Sequence, residues 1–335
     1  MVRRGEFALI ETLFAPLTRG DSRALGLADD AAVLGTEGLG DLVVSVDGLV
    51  SGVHFLPDDP PGTIAAKCLR VNLSDMAAMG AKPVAAFLSA CLSPTLDDRW
   101  LEAFTEGLRA DLQTYSFSLL GGDTTSTPGP ASFSITILGS VAPGAALRRS
   151  GARMGDDLWV SGTVGDGALG LRVLQGPLFG LPEVHRMHLI DRYRKPQPRV
   201  ALGLMLSGGT EEKSGRLATA CMDISDGLLA DAAHVAKASD VALEIWAPDL
   251  PLSEAAADLV ADDPTLFDLV LGGGDDYELL FTAPPENREA ILAAGQGTDT
   301  LVTRLGRVVE GAGARILDID GVEIALAKPG WSHDG

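Results

Sequence analysis

Six aspartates stand where chemistry could be done: Asp30, Asp47, Asp75, Asp123, Asp223 and Asp226. Asp75 lies in the stretch Lys67 to Pro83, on the stripe of Ile64, Cys68, Val71, Met76 and Met79, whose steps of three to five residues follow the helical period. A carboxylate on a buried helix face is costly unless a cation or hydrogen bonds compensate it. The plainer alternative is that Asp75 caps a short helix running from Met76. The other five acids are expected at strand ends or turns, beside glycines: Asp47-Gly48, Gly121-Gly122-Asp123 and Asp223-Ile-Ser-Asp226-Gly227 among them. Glycine lets a backbone approach a ligand closely, and a carboxylate then sits beside exposed N–H groups. So many acids can share one site only around hard cations, and Mg²⁺ fits best when phosphate oxygens complete its shell. Such an arrangement suits phosphoryl transfer, in which positioning and charge neutralisation supply most of the rate. A phosphate monoester, with a second pKa of about 6, is already an anion at neutral pH and needs no general base as acceptor.

The elements that must position these acids can be read along the chain. Phe7 to Phe14 predicts a short helix, and Leu42 to Val46 a strand ending at Asp47-Gly48. The Asp75 helix, a strand over Val84 to Leu92 and a helix over Leu96 to Leu112 follow. Phe117 to Leu120 is expected to run as a strand into a turn at Gly121 to Thr125, with Phe133 to Val141 as the next strand. Pro143 to Gly155 reads as an inter-domain linker, whose Arg148, Arg149 and Arg153 either serve a phosphate or form a solvated hinge. Gly165 to Gly170 spells GxGxxG after the strand Leu158 to Ser161. No succession of βαβ units follows, so no dinucleotide site is expected. Ser225 or Asp226 is a candidate cap for a helix running to Ala236, which would leave its N–H groups as an anion site. Gly272 to Leu279 again sets glycines and acids before a strand, and Val302 to Val309 and Ala314 to Ile319 read as closing strands. His54 alone reads as a structural or surface histidine, and Trp331 as a packing anchor or a stacking platform.

The totals bound the function. A chain of 335 residues should hold about two domains of ~150 residues. A net charge of −20 argues against non-specific binding to nucleic acid or anionic membrane, and means that a bound phosphate must be bridged by metal ions or local cations. Cys68, Cys91 and Cys221 form no CxxC pair, as expected of a reduced, cytoplasmic protein without a cysteine zinc site. Glu6 and Glu11 interrupt any signal core, and the longest uncharged run, Thr124 to Leu147, contains three prolines, so no membrane span is expected. There is no Walker A motif: none of the six lysines follows a glycine.

Taken in order, Gly-Glu-Phe at Gly5, Ala28-Asp-Asp-Ala-Ala-Val, Ser45-Val-Asp-Gly, Gly52-Val-His-Phe, Val71-Asn-Leu-Ser-Asp-Met-Ala-Ala-Met-Gly-Ala-Lys-Pro, Gly121-Gly-Asp-Thr-Thr, Arg149-Ser-Gly-Ala, Asp223-Ile-Ser-Asp-Gly-Leu, Gly273-Gly-Asp-Asp-Tyr-Glu-Leu and Gly330-Trp-Ser-His resemble the thiamine-monophosphate kinase family. Part of the set is shared with the wider superfamily of aminoimidazole ribonucleotide synthetase, selenophosphate synthetase and the hydrogenase maturation protein. The resemblance implies a two-domain α/β fold with mixed sheets. Residues 1–147 would be an ATP- and Mg²⁺-binding, dimerising N-terminal domain, and 148–335 a C-terminal α/β domain. It implies a homodimer and ATP-dependent conversion of thiamine phosphate to thiamine diphosphate by direct in-line transfer. Asp30, Ser45, Asp47, Asp75, Asp123, Asp223 and Asp226 would be Mg²⁺ ligands, with Val46 able to ligate only through its backbone. Asp75, Asp123 and Asp226 would be the most critical. Gly122, Asp123, Arg149 and Ser225 would touch ATP; His54, Asp275 and Trp331 would line the thiamine phosphate site, where a thiazolium cation favours an aromatic face. The chain departs from the family pattern at Ala28 (usually Gly), Val46 (usually Thr), Asp275 (usually Glu) and after His333-Asp334, which lack a trailing Phe. Alternatives are another ATP enzyme of the superfamily (formamidine cyclisation or selenophosphate synthesis), or a non-catalytic acidic protein that binds metal or nucleotide.

Overall fold

The computed structural model describes residues 10–27, 38, 40–176, 181–209, 215–326 and 330. Asp30 and Trp331, with Ala28 and His333-Asp334, lie outside the described residues. The chain divides into two compact units, Met1–Met76 with Lys82–Val141, and Ala77–Ala81 with Ala142–Gly335.

The first unit is built on a four-stranded sheet of β1 (Asp41–Val50), β2 (Lys82–Leu92), β3 (Ser118–Ser126) and β4 (Ser132–Val141), in the order β1-β4-β2-β3. Two helices belong with it, α1 (Pro61–Ala78) and α2 (Asp98–Thr114). Strand alternation sorts β1 into two faces. Val43 and Leu49 are buried on one, while Leu42, Val44 and Val46 on the other are 48%, 54% and 58% exposed. On the buried side, Phe133 of β4 stacks at 4.5 Å on Phe104 and 5.9 Å on Trp100, both from α2. Such aromatic pairs contribute about 0.5–1.5 kcal/mol each beyond their area. The start of α2 is fixed by Asp97, which accepts from the Trp100 N–H at 2.9 Å, an N-cap bond.

Three sequence expectations change here. Asp75 caps nothing: it lies inside α1, which Pro61 opens at a position where a missing N–H is harmless. Asp47-Gly48 does not end β1, because Asp47 pairs with Ile135 and Gly48 with Ser134, and pairing continues to Val50. Gly121 to Thr125 is not a turn but the body of edge strand β3, in parallel register with Phe87 to Cys91.

The second unit carries a six-stranded sheet in the order β10-β7-β9-β5-β8-β6. Its strands are β5 (Asp157–Ser161), β6 (Ala220–Asp223), β7 (Ala242–Trp246), β8 (Leu279–Ala283), β9 (Val302–Val309) and β10 (Gly313–Leu317). Only β10 and β7 run parallel; the other neighbours are antiparallel. Helices α3 (Asp166–Gln175), α4 (Glu183–Arg194), α5 (Val200–Ser207), α6 (Leu228–Ser239), α7 (Glu254–Asp262), α8 (Phe267–Gly272) and α9 (Arg288–Gly297) complete it. Leu228, Ala232, Val235 and Ala236 of α6 join Leu158, Val160, Met222, Leu243, Leu280 and Ile316 from five strands in one core. The spacing of those four α6 residues at four, three and one is the helical stripe that holds α6 to the sheet. The architecture is mixed α/β in both units, as the resemblance implies.

Candidate active site

In the first unit the structure brings Ser45, Asp47 and Asp75 together. Ser45 and Asp47 are two apart on β1 and so share a face. The Ser45 hydroxyl donates to Asp75 Oδ2. One turn earlier on α1, Asn72 Oδ1 accepts from the Asp47 N–H at 3.2 Å, while its Nδ2 donates to the Cys68 carbonyl at 3.0 Å. Asn72 therefore ties the helix to the strand at the level of the acids. Burial, followed by the charge and hydrogen bond of Asp75, pushes the Asp47 carboxyl up to about 6. Two carboxyls this close resist ionising together. Val46 points its side chain to the exposed face, leaving only its backbone on the acid side. His54 Nδ1 accepts from the Val50 N–H at 3.0 Å, so the neutral ring carries its proton on Nε2.

Asp123 is not part of that contact. It lies on β3 opposite Ser89 of β2, and the cross-strand register puts Gly122 in the row of Leu88, Ile135 and Asp47. That row spans three strand spacings, about 14 Å. Gly122 is required for its own reason. At φ +157 a Cβ there would lie 1.9 Å from the Leu88 carbonyl oxygen. Gly122→Ala is expected to distort the β2–β3 pairing and cost about 1–3 kcal/mol, checked by urea unfolding. Among the described residues no three Asp, Glu, His or Cys side chains converge as a ready-made cation cage.

In the second unit, Asp223 ends β6 and is buried. The loop Ile224 to Gly227 follows it. Neither Ser225 nor Asp226 caps α6: the cap position belongs to Gly227, without a side-chain bond. Instead Asp231, in the first turn of α6, accepts from the Ser225 and Asp226 N–H groups through Oδ2, at 3.0 Å each. Those N–H groups are thus occupied and form no open anion site. The segment before β8 runs alongside the same loop. Asp275 N–H donates to the Ser225 carbonyl at 2.9 Å, Tyr277 N–H to the Ile224 carbonyl at 2.8 Å, and Ile224 N–H to the Glu278 carbonyl at 2.8 Å. Asp275 and Tyr277 take left-handed φ values of 65° and 52° to make these bonds. The structure therefore sets Ser225, Asp226 and Asp275 side by side. Arg149 is fixed through its carbonyl, which accepts from Ser239 Oγ at 3.2 Å, beside the Arg148 carbonyl's bond from Cys221 N–H at 2.8 Å.

Asp231 and Asp276 are residues that sequence reasoning missed. Asp276 explains the GxGxxG spelling. Its two carboxyl oxygens accept from Gly165 N–H at 2.8 Å and Gly167 N–H at 3.1 Å, the donors a pyrophosphate would need. A Cβ on Gly167 would lie 2.2 Å from the Asp275 carbonyl oxygen. These glycines serve internal packing. Burial pushes the Asp276 carboxyl up to about 8, against the two N–H groups. An acid that holds its proton to about pH 8 when folded, but loses it near 3.9 when unfolded, withdraws stability as pH rises between those values. Asp276→Asn turns an amide N–H toward one glycine N–H and is expected to cost about 1–3 kcal/mol at pH 5. The gap to the parent should narrow at pH 8, as read by urea unfolding at the two pH values.

Residues 28–141 match the family described as AIR synthase related protein, N-terminal domain, and residues 201–319 match its C-terminal domain. A thiamine-monophosphate kinase of Salmonella typhimurium is 41% identical, over 98% of this chain and 98% of its own. The crystal structure of thiamine-monophosphate kinase from Stenotrophomonas maltophilia K279a is similar with a TM-score of 0.81 at 40% identity, covering 93% of this chain and 98% of that one. AaThiL complexed with AMPPCP and TMP is similar with a TM-score of 0.76 at 30% identity, covering 99% of each chain.

Proposed function

We propose a reaction for a chain that belongs to the thiamine-monophosphate kinase family, within the AIR synthase related proteins. It is an enzyme, a phosphotransferase whose acceptor is itself a phosphate group. ATP is the donor and thiamine phosphate the acceptor, a reading supported by the similar AaThiL, which is complexed with AMPPCP and TMP. The finer proposal is that the phosphoryl group passes directly in line, without a phosphoenzyme, with the help of several Mg²⁺ ions.

The observation that carries it is the oxygen cluster of Ser45, Asp47 and Asp75. Its donors are all hard oxygens, and the raised Asp47 carboxyl marks charge that a cation would relieve, so the residues fit Mg²⁺. Asp30, Ser45, the Val46 backbone, Asp47, Asp75, Asp123, Asp223 and Asp226 would hold the ions. When bound, Mg²⁺ neutralises phosphate charge and lets two polyanions approach. The chain's own residues do the rest. Gly122 presents backbone without a side chain, and Asp231 holds Ser225 and Asp226 in place through their N–H groups. Gly122, Asp123, Arg149 and Ser225 contact ATP; His54, Asp275 and Trp331 receive thiamine phosphate. No general base is needed, because the acceptor oxygen is already anionic.

A homodimer paired through residues 1–147 suits the exposed apolar row Leu42, Val44 and Val46 on β1. A cytoplasmic enzyme suits the free thiols of Cys68, Cys91 and Cys221. Among the described residues no helix is long and apolar enough to cross a membrane. The test is purified protein with ATP, Mg²⁺ and thiamine phosphate. Thiamine diphosphate and ADP are expected in equal amounts; no thiamine diphosphate, with turnover on a formamidine or selenide acceptor, assigns a sister activity instead.

A further inference from the structure

The second unit holds a cleft of about 560 Å³ whose lining includes Arg148, Ser150, Arg153, Arg216, Thr219 and Asn287. Three guanidinium groups converge there in a chain of net charge −20. Many of the other arginines are matched: Arg70 pairs with Asp111, Arg192 and Arg199 with Glu278, Arg288 and Arg304 with Asp157, and Arg307 and Arg315 with Glu244. Arg148, Arg153 and Arg216 have no carboxylate partner within salt-bridge distance among the described residues. Asp156 stands close, but its Oδ2 accepts from Arg153 N–H at 2.9 Å and Thr219 Oγ1 at 2.6 Å. Arg216 is braced by donating to the Ala218 carbonyl at 2.8 Å and the Thr219 carbonyl at 3.3 Å. Burial, together with the charges of Arg148 and Arg153, holds its guanidinium below the ordinary value. Like charges gathered with no carboxylate in ion-pair contact repel one another, and an anion that joins them relieves the repulsion.

The cleft is separate from Asp223. Thr219 and Pro284 flank the ends of β6 and β8 that lie opposite Asp223, a strand length of about 13 Å away. Arg149 does not line it. A Mg²⁺-dependent acidic site and a metal-free arginine site make opposite demands on their ligands. Arginine forks match phosphate oxygens in pairs, and three of them balance the charge of a diphosphate. The volume is that of a small-molecule site.

We propose that this cleft is a second anion site, which takes a small diphosphate-bearing compound through Arg148, Arg153 and Arg216 without a metal ion. It is independent of the transfer reaction. The test is calorimetric titration of the full chain with inorganic pyrophosphate in EDTA and 50 mM salt. One site per chain is expected, weakening at least tenfold in Arg148→Gln/Arg153→Gln and on raising salt to 200 mM. Without pyrophosphate that double variant should melt no lower than the parent and keep its turnover, while Arg149→Gln should bind pyrophosphate as the parent does. Arg216 is left intact because it braces two carbonyls. ADP and thiamine diphosphate, titrated alike, carry the same diphosphate; the one that displaces pyrophosphate most readily identifies the source. Absence of binding in EDTA, undiminished binding in the double variant, or equal loss in Arg149→Gln would each overturn the assignment.

Discussion

Asp75→Asn is expected to lower turnover by about 10²–10³-fold, the loss typical when one preorganised charge-stabilising group is removed, while leaving the fold intact. Asparagine keeps the shape of aspartate and an oxygen that the Ser45 hydroxyl can still reach. What disappears is one negative charge beside Asp47. Asp75's charge and hydrogen bond help raise the Asp47 carboxyl, so their removal lets Asp47 ionise more readily. In EDTA the variant should therefore unfold at the same urea concentration as the parent, or a higher one. A merely structural Asp75 predicts the reverse, with stability lost and turnover kept below the melting temperature. Thiamine diphosphate formation and urea unfolding, measured on the same preparation, separate the two. Parental turnover in the variant would falsify the assignment of Asp75 to the metal cluster.

The Asp75 helix was legible because its burial stripe is local: Ile64, Cys68, Val71 and Met76 recur near the helical period whether or not the sheet is known, although Met79, on the same stripe, falls just past the end of α1. The rest of the helix could not be read so well, since nearly every residue from Val71 to Ala78 is buried and the stripe blurs into an apolar run. Asp47 and Asp123 were misplaced for another reason. Glycine beside aspartate reads as a turn, but Gly48 and Gly122 lie inside strands, and Gly122 is set by the Leu88 carbonyl of a strand more than thirty residues away in sequence. Ser225 and Asp226 looked like caps because they precede a helix. The hydrogen-bond acceptor lies within the helix instead, at Asp231, and works in the opposite direction. Asp231 was within reach of the sequence as an acid in a first helical turn. Asp276 was not, because its partners Gly165 and Gly167 are more than a hundred residues away. Acids that bond backbone N–H groups across the fold leave no periodic trace.

Glu278→Ala is expected to cost about 3–5 kcal/mol, a large part of an ordinary domain's stability. Glu278 is fully buried. Its carboxylate accepts from Ser161 Oγ at 2.5 Å, Arg192 Nη2 at 2.8 Å, and Arg199 Nε and Nη2 at 2.7 and 2.5 Å. Truncation removes the carboxylate that two guanidinium groups share, one of them on a side chain only 9% exposed. It also frees the Ser161 hydroxyl, which accepts from the Leu279 N–H at 2.8 Å at the first rung of β8. Glu278→Gln keeps the volume and one oxygen acceptor but removes the charge, so its loss should be smaller than that of alanine and still exceed 1 kcal/mol. The Glu278 carbonyl bonds Ile224 N–H next to Ser225, so disorder here would be felt at the loop carrying Asp223 and Asp226. Below its melting temperature, however, the glutamine variant should retain kcat within a few-fold, because the carboxylate faces two arginines of its own unit rather than the acids. Urea unfolding of parent, Glu278→Gln and Glu278→Ala gives the ordering. A loss under 1 kcal/mol for alanine would mean that water reaches Arg192 and Arg199 and that the pair does not hold the start of β8.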